Sequence, residues 1–232
     1  MAKVGLLVIA TGKYDQFIPM LYKSMKKYFL TNHDVTMLVF TDQEIPNKDG
    51  LVSFPHIHEP WPNPTLKRYH VFDKYREELL KMDYLYYCDA DMKFVSEVGD
   101  EVLPSSESNL IATEHPGFYG GRRGTYETRS ESTAYVSDNE GECYFAGGFN
   151  GGTAEAFLKM SAIIKERVDR DLTHGIIAIW HDESQINRYL IDNKPKILDS
   201  SYCYPEYWLN TNSFNLAPKL VALVKNHNEV RN

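Results

Sequence analysis

The chain has 232 residues, of which 43% are hydrophobic, so it can bury a complete core as one domain. Its formal net charge of -7 argues against a nucleic-acid or anionic-membrane partner. The cysteines, Cys88, Cys143 and Cys203, have no paired or metal-ligand spacing, which favours buried thiols in a reducing compartment. The apolar N-terminal run is too short for a membrane span and lacks a cleavage site. We therefore expect a cytoplasmic protein without a membrane span.

Apolar runs and helical patterns alternate through the first part of the chain. Residues 4–10 are a continuous apolar run, typical of a central parallel strand, and residues 35–40 are predicted as the second strand. Residues 51–58 form a weaker third candidate. Apolar residues recur at helical spacing between the first two runs, and Thr65 is placed to cap a helix over residues 65–80. This order predicts a single-domain α/β fold, with a mostly parallel, Rossmann-like sheet flanked by helices.

The segment 84–91 is an apolar, aromatic strand that ends in Asp89 and Asp91. Their spacing puts both carboxylates on one face of extended backbone, at the strand end where ligands of such sheets bind. Two hard oxygen ligands there can hold a divalent cation with open positions for a diphosphate, and the alternative is a structural turn. A second Asp-x-Asp, at 169–171, lies at the polar end of a predicted helix and is interpreted as a solvated pair.

A glycine-rich segment, Phe145–Thr153, precedes an amphipathic helix predicted over residues 154–168. Glycines let a backbone approach a ligand closely, so we expect a loop that contacts a ligand. A tight strand-to-helix turn is the structural alternative.

The segment 180–184 begins a last helix, predicted to run from about Glu183 to Ile191. Asp182 is a plausible N-cap, with Gln185 three residues further on. Glu183 then lies in the first turn, where the helix dipole favours the anion that a nucleophile or a partner for an oxocarbenium-like centre requires. An ordinary surface glutamate is the alternative.

Two weaker signals come from histidine and from the C-terminal residues. His115 precedes a proline near the polar segment 117–141, which we expect to form excursions over the site, and a lone histidine is usually a loop residue. Lys225, His227 and Arg231 give the tail a basic character. Such a tail is either solvated or closes on a diphosphate.

These segments, in order along nearly the whole chain, resemble glycosyltransferase family 6, which contains the histo-blood group A and B transferases and the α1,3-galactosyltransferases. The matching segments are 65–68, 84–91, 115–120, 125–127, 146–152, 179–184 and 225–232. The resemblance implies a GT-A fold and one catalytic domain over residues 1–232. Within it, residues 1–95 would mainly bind the nucleotide, 96–224 the sugar and acceptor, and 225–232 would close over the donor.

The resemblance also implies a retaining transfer of N-acetylgalactosamine or galactose from a UDP-sugar to the 3-hydroxyl of a galactoside, forming an α1,3 linkage. Asp89 and Asp91 match the metal-binding pair, which implies Mn²⁺, and Glu183 matches the carboxylate proposed as nucleophile or as acceptor partner in a front-face path. The matches on the donor side are Ile9, Thr11, Tyr14, Arg68, Asp89, Asp91, Ala146, Gly147, Gly148, Asp182, Lys225 and Arg231. Those on the acceptor side are His115, Thr125, Trp180 and Glu206.

In this family, glycine at the position of Gly148 goes with room for an N-acetyl group, so we expect UDP-N-acetylgalactosamine as the donor. We expect no membrane anchor of the kind that vertebrate members carry, as in the compact bacterial and viral members. Some bacterial members carry Asn-x-Asn and need no metal, whereas Asp89 and Asp91 are retained here, so we expect metal dependence. The alternatives are another donor such as UDP-glucose or UDP-galactose, a non-catalytic sugar- or nucleotide-binding protein, and a nucleotidyltransferase or sugar-nucleotide hydrolase.

Overall fold

The computed structural model describes residues 1–211 and 215–230. The strands are β1 (Lys3–Ile9), β2 (Asp34–Thr41), β3 (Leu51–Pro55), β4 (Tyr84–Cys88), β5 (Met92–Phe94), β6 (Leu110–Glu114), β7 (Phe145–Thr153), β8 (Lys196–Leu198), β9 (Tyr204–Pro205) and β10 (Leu220–Ala222). The helices are α1 (Ile18–Tyr28), α2 (Asn63–Leu66), α3 (Arg68–Lys74), α4 (Arg76–Leu79), α5 (Ala154–Thr173), α6 (Asp182–Asp192) and α7 (His227–Val230).

A seven-stranded sheet in the order β3-β2-β1-β4-β7-β6-β8 organises the molecule, and a smaller sheet has the order β5-β10-β9. In the large sheet β7 runs antiparallel to β4 and β6, and the other neighbouring pairs are parallel. The predicted α/β class with a mostly parallel sheet is therefore confirmed, and it is consistent with a GT-A fold. Because β7 pairs with β4, the two halves predicted from the sequence share one sheet.

Both faces of the large sheet are covered by apolar layers. On β1, Leu6 belongs to the layer that contains Leu21 of α1, whereas Leu7 belongs to the layer that contains Phe72 of α3 and Phe157 of α5. Burial on both faces explains why the central strands are continuous apolar runs instead of alternating patterns. No helix of the described residues is both long enough and apolar enough to cross a membrane.

The helix predicted over residues 65–80 is wrong in detail, because three short helices, α2, α3 and α4, occupy this stretch. Lys67 and Tyr75 separate them, with φ/ψ of -101°/16° and -102°/21°, outside the helical region. Thr65 lies inside α2, and its hydroxyl donates to the Pro62 carbonyl at 3.0 Å instead of capping a helix. The helix after the glycine-rich segment, α5, extends to Thr173, beyond its predicted end.

The glycine-rich segment is not a loop, because it forms the buried central strand β7. A Cβ on Gly151 would lie 2.5 Å from the Leu85 carbonyl oxygen, and a Cβ on Gly152 would lie 2.3 Å from that of Asn109. Real Cβ atoms do not approach backbone so closely, so these two glycines are required by strand packing. Only the first glycine pair of the segment remains for contact with a ligand.

The second Asp-x-Asp is not a solvated pair. The Asp169 side chain is half-exposed, but Asp171 is buried. The Asp171 carboxylate accepts hydrogen bonds from the Ser132 hydroxyl and the Thr133 backbone N–H, both at 2.8 Å. Because a buried carboxylate needs such donors, Asp171 of α5 anchors the irregular segment 117–141.

We expect Asp171→Ala to lower the free energy of unfolding by about 2–3 kcal/mol, because it leaves buried donors without an acceptor. Asp169→Ala, on the exposed side of the same helix, should change it by less than about 1 kcal/mol, the range of surface ion pairs. Urea unfolding followed by circular dichroism compares the two variants. Equal effects would contradict the anchoring role of Asp171.

Candidate active site

A pocket opens at the carboxyl ends of β1 and β4. The predicted donor-side residues that line it are Ile9, Thr11, Tyr14, Arg68, Asp89, Asp91 and Lys225. It collects side chains from both ends of the chain, because β1 and β4 are neighbours and the segment after β10 returns to the same edge. Arg231, the remaining basic residue predicted for this site, lies outside the described residues.

The aspartate pair faces this pocket, with the Asp89 side chain 38% exposed and the Asp91 side chain 9% exposed. Asp89 Oδ1 accepts from the Tyr87 hydroxyl at 2.5 Å, and Asp91 forms an ion pair with Lys225. Two carboxylates are suitable oxygen ligands for a divalent cation. The Lys225 ammonium lies against one of them, Asp91, and supplies positive charge there. Among residues 1–211 and 215–230 no third His, Cys, Asp or Glu completes a cluster, so further ligands would be diphosphate oxygens and water.

Arg68 connects the aspartate pair to α6. Its guanidinium is buried and lies 3.2 Å from Asp89 Oδ1, 2.9 Å from Asp182 Oδ2 and 2.9 Å from the Gly147 carbonyl oxygen, to which it donates. It also stacks on the Tyr87 ring, 3.9 Å from its centroid. Although burial opposes the charge, the neighbouring carboxylates raise the pKa of Arg68 above its usual value.

The expectation that Asp182 caps the last helix is wrong. His181, with φ of 52°, takes the N-cap position, and Asp182 is the first helical residue. The Asp182 carboxylate points to Arg68, because a buried guanidinium without a counter-charge would be costly. Burial raises the pKa of Asp182 to about 6, Arg68 lowers it, and Asp89 adds to the increase.

Glu183 lies one residue further along α6 and is partly buried. Its Oε2 accepts a hydrogen bond from the Gly147 backbone N–H at 2.8 Å. Burial raises the pKa of Glu183 to about 7, although the Gly147 N–H and the neighbouring Tyr144 hydroxyl lower it. The anion expected from the helix dipole alone is therefore not fully formed at neutral pH.

Gly147 and Gly148 separate the aspartate pair from α6. A Cβ on Gly147 would lie 3.4 Å from Glu183 Oε2, whereas a Cβ on Gly148 would lie 3.1 Å from Asp89 Oδ2 and 3.5 Å from Cys203 Sγ. Successive residues of a strand point to opposite faces, so the two missing side chains keep space open on both sides of β7. Ala146, which precedes them, is buried.

The predicted acceptor-side residues lie outside the lining of this pocket. Thr125 is exposed and the Trp180 side chain is 48% exposed, whereas Glu206 accepts from the Val224 N–H at 2.6 Å and so anchors the segment before Lys225. His115 accepts from the Gly117 N–H at 3.0 Å.

His115 also packs edge-on against the Tyr144 ring, at a centroid distance of 5.7 Å. Burial lowers the pKa of His115 to about 4, so it is neutral at physiological pH. Through Tyr144 it lies one side chain away from Glu183, which the Tyr144 hydroxyl neighbours.

Sequence reasoning missed several side chains that line the pocket, among them Tyr87, His58 and Trp61. Tyr87 precedes Asp89 by two residues, so the alternation of β4 already places both on one face. His58 and Trp61 belong to the proline-rich connection after β3, and no sequence pattern distinguishes them from ordinary loop residues.

The pocket bears carboxylates at the carboxyl edge of a mostly parallel sheet and faces a second carboxylate pair across a glycine strand, an arrangement consistent with a GT-A type fold. The sequence model of glycosyltransferase family 6 matches residues 1–232, and the chain belongs to that family. Membership of this glycosyltransferase family supports a hexosyltransferase activity.

Three relatives show the range of similarity. The chain is 35% identical to the histo-blood group ABO system transferase 1 of Rattus norvegicus, over 99% of this chain and 68% of the relative. It is 31% identical to the globoside alpha-1,3-N-acetylgalactosaminyltransferase 1 of Homo sapiens, over 88% of this chain and 61% of that protein. It is 30% identical to the O-antigen biosynthesis glycosyltransferase WbnI of Escherichia coli, over 88% of each.

The raised pKa of Glu183 leads to a prediction on stability. An acid whose pKa is about 7 when folded and 4.5 when unfolded binds protons more tightly in the folded state, so stability falls as the pH rises through this window. We expect the free energy of unfolding of Glu183→Gln to exceed that of the wild type by about 1–3 kcal/mol at pH 8 and by little at pH 4.5. Denaturant unfolding at both pH values measures this difference.

Glu155→Gln is the matched control, because Glu155 is an exposed glutamate in the first turn of α5. The difference in free energy of unfolding between Glu155→Gln and the wild type should be the same at both pH values. If the difference for Glu183→Gln is also independent of pH, Glu183 is not a buried acid.

Proposed function

We propose that the protein is a retaining, metal-dependent transferase that moves N-acetylgalactosamine from UDP-N-acetylgalactosamine to the 3-hydroxyl of a galactoside, forming an α1,3 linkage. The observation that carries the proposal is the continuous set of contacts from Asp89 through Arg68 to Asp182, with Glu183 beside Gly147. It supports a diphosphate site and a sugar site on either side of β7. Globoside alpha-1,3-N-acetylgalactosaminyltransferases are among the relatives, and the linkage and sugar in their name agree with this proposal.

Asp89 and Asp91 would hold Mn²⁺, which supplies positive charge to the diphosphate when bound. Lys225 already lies against Asp91 and would transfer its ion pair to the diphosphate, where its charge stabilises the departing UDP. Arg231 is proposed to add a second charge from the tail. Closure of this segment would also keep water from the donor.

In the transfer, the bond between the anomeric carbon and the β-phosphate oxygen breaks, and its electron pair leaves with UDP. A new bond forms between that carbon and the acceptor 3-oxygen, whose proton passes to the departing diphosphate oxygen. Glu183 stabilises the positive charge that develops at the anomeric carbon, either as a nucleophile or as an electrostatic partner. Arg68 and Asp182, fixed by their ion pair, orient the donor sugar beside it.

The first test is UDP release from a panel of UDP-sugars with galactoside acceptors, with Mn²⁺ and then with EDTA. We expect release from UDP-N-acetylgalactosamine, and a decrease of about a hundredfold or more in EDTA, because the leaving group loses its neutralising charge. Asp91→Asn should reproduce the loss with Mn²⁺ present, while Asp169→Asn serves as the surface control.

Unchanged release in EDTA would contradict the metal assignment and make the aspartate pair structural. A preference for UDP-glucose or UDP-galactose would contradict UDP-N-acetylgalactosamine as the donor and assign the preferred UDP-sugar instead. No release from any UDP-sugar, with Glu183→Gln binding like the wild type, would indicate a non-catalytic binding protein.

Gly148 gives the test of donor choice. A methyl there would fill space next to Asp89 and Cys203, so we expect Gly148→Ala to lower the preference for UDP-N-acetylgalactosamine over UDP-galactose by about tenfold or more, as one methyl typically does. Gly147→Ala is the matched control, since its methyl would point to Glu183 on the other face of β7. It should lower kcat for both donors and leave their ratio unchanged. An unchanged ratio in Gly148→Ala would remove this glycine from donor selection.

A further inference from the structure

The segment that joins α5 to α6, residues 174–181, belongs to no helix or strand. It carries Ile177, Ile179 and Trp180, which are between 40% and 48% exposed. Trp180 is one of the residues expected on the acceptor side. Because an irregular segment makes few backbone hydrogen bonds of its own, side chains from elsewhere must fix it if Trp180 is to hold one position.

The side chain of Glu127, which is buried, holds this segment. Its Oε2 accepts a hydrogen bond from the Ile179 backbone N–H at 2.8 Å. The same carboxylate binds the Arg129 guanidinium through two bonds, from Nε to Oε1 at 2.9 Å and from Nη2 to Oε2 at 2.6 Å. Arg129 Nη2 also donates to the Ile177 carbonyl oxygen at 2.6 Å. Glu127 and Arg129 therefore form a clasp on residues 177–179.

Charge and geometry both stabilise this clasp. A carboxylate and a guanidinium that meet through two parallel bonds combine charge attraction with a fixed orientation. The hydrogen bonds from the Arg129 side chain and from the backbone N–H groups of Arg129 and Ile179 lower the pKa of Glu127 to about 2, although burial opposes this effect. The carboxylate is therefore charged throughout the physiological range and keeps all its acceptor sites.

The clasp joins the two segments that carry Thr125 and Trp180, both predicted to lie on the acceptor side. Thr125 precedes Glu127 by two residues, and Trp180 follows Ile179 directly. The relative position of the two acceptor-side residues therefore depends on the hydrogen bonds between Glu127 and the segment before α6.

The carboxylates of α6 are held by different partners. Asp182 pairs with Arg68 at 2.9 Å, and Glu183 accepts from the Gly147 N–H at 2.8 Å. Loss of the clasp would therefore displace the acceptor-side residues and leave these two carboxylates in place.

We propose that the clasp of Glu127 and Arg129 positions Thr125 and Trp180 relative to each other and so assembles the subsite for the galactoside acceptor. This inference rests on the proposed function, in which Thr125 and Trp180 contact the acceptor. Glu127 and Arg129 are positioning residues, because they act on the sugar through the segments that they join. The clasp thus determines the affinity for the acceptor and not that for the donor.

The test measures the kinetics of Glu127→Gln in the full chain, with a galactoside acceptor and UDP-N-acetylgalactosamine. The amide places a donor where one carboxylate oxygen accepted, so it cannot accept from both Arg129 and Ile179. We expect the KM for the galactoside to rise about five- to tenfold, the range of one lost hydrogen bond. The KM for the donor, and UDP release without acceptor, should stay within about twofold of the wild type.

Two further variants separate positioning from a general loss of structure. Arg129→Gln keeps the acceptor for the Ile179 N–H, so it should raise the galactoside KM in the same direction by a smaller factor. In a Trp180→Ala background, Glu127→Gln should raise this KM by less than about twofold, because the segment no longer carries the indole ring. Backbone hydrogen exchange of residues 176–181, measured by mass spectrometry, should be faster in Glu127→Gln than in the wild type.

Glu131→Gln is the matched control, because Glu131 is an exposed glutamate four residues after Glu127. It should change neither KM by more than about twofold and should leave the hydrogen exchange of residues 176–181 as in the wild type.

Equal increases of the donor and acceptor KM in Glu127→Gln, or no increase of either, would overturn the inference and leave the proposed function intact. Unchanged hydrogen exchange in Glu127→Gln, or its full effect in the Trp180→Ala background, would overturn the inference in the same way. A wild type that transfers no sugar to galactosides would overturn both the inference and the proposed function.

Discussion

The buried guanidinium of Arg68 is the group on which the arrangement of the site depends. It contacts Asp89 after β4, the Gly147 carbonyl of β7 and Asp182 of α6, so three elements distant in sequence meet around one charge. Removing one partner of a buried ion pair typically costs about 3–5 kcal/mol, because the other charge is left unpaired. The positions of the Asp89 carboxylate and of α6 are therefore linked through Arg68.

Strand β7 makes this convergence possible because its glycines let other groups approach it closely. Gly151 and Gly152 admit the backbones of the neighbouring strands, whereas Gly147 and Gly148 leave room for Glu183 on one face and Asp89 on the other. An antiparallel strand in an otherwise parallel sheet thus carries packing at one end and the site at the other. The alternation of side chains along the strand therefore places Glu183 and Asp89 on opposite faces of β7.

The sequence predicts the parts of the fold that local physics determines. Buried parallel strands are apolar throughout, so β1, β2 and β4 were predicted, as was the aspartate pair at the end of β4. The sequence predicts a loop in place of β7, because four glycines remove the side-chain pattern on which strand prediction depends. It predicts a cap at Asp182 and a surface residue at Asp171, since their partners, Arg68 and Ser132, are distant in sequence and leave no local signal.

The charges of the site also connect the aspartate pair to the ionisation of Glu183. Four carboxylates, those of Asp89, Asp91, Asp182 and Glu183, face the two cations of Arg68 and Lys225, and burial raises the pKa of Asp182 to about 6 and that of Glu183 to about 7. Positive charge added at the aspartate pair lowers the pKa of nearby acids. A divalent cation held by Asp89 and Asp91 would therefore favour the Glu183 anion, whereas the negative charges of a sugar-nucleotide diphosphate would oppose this effect.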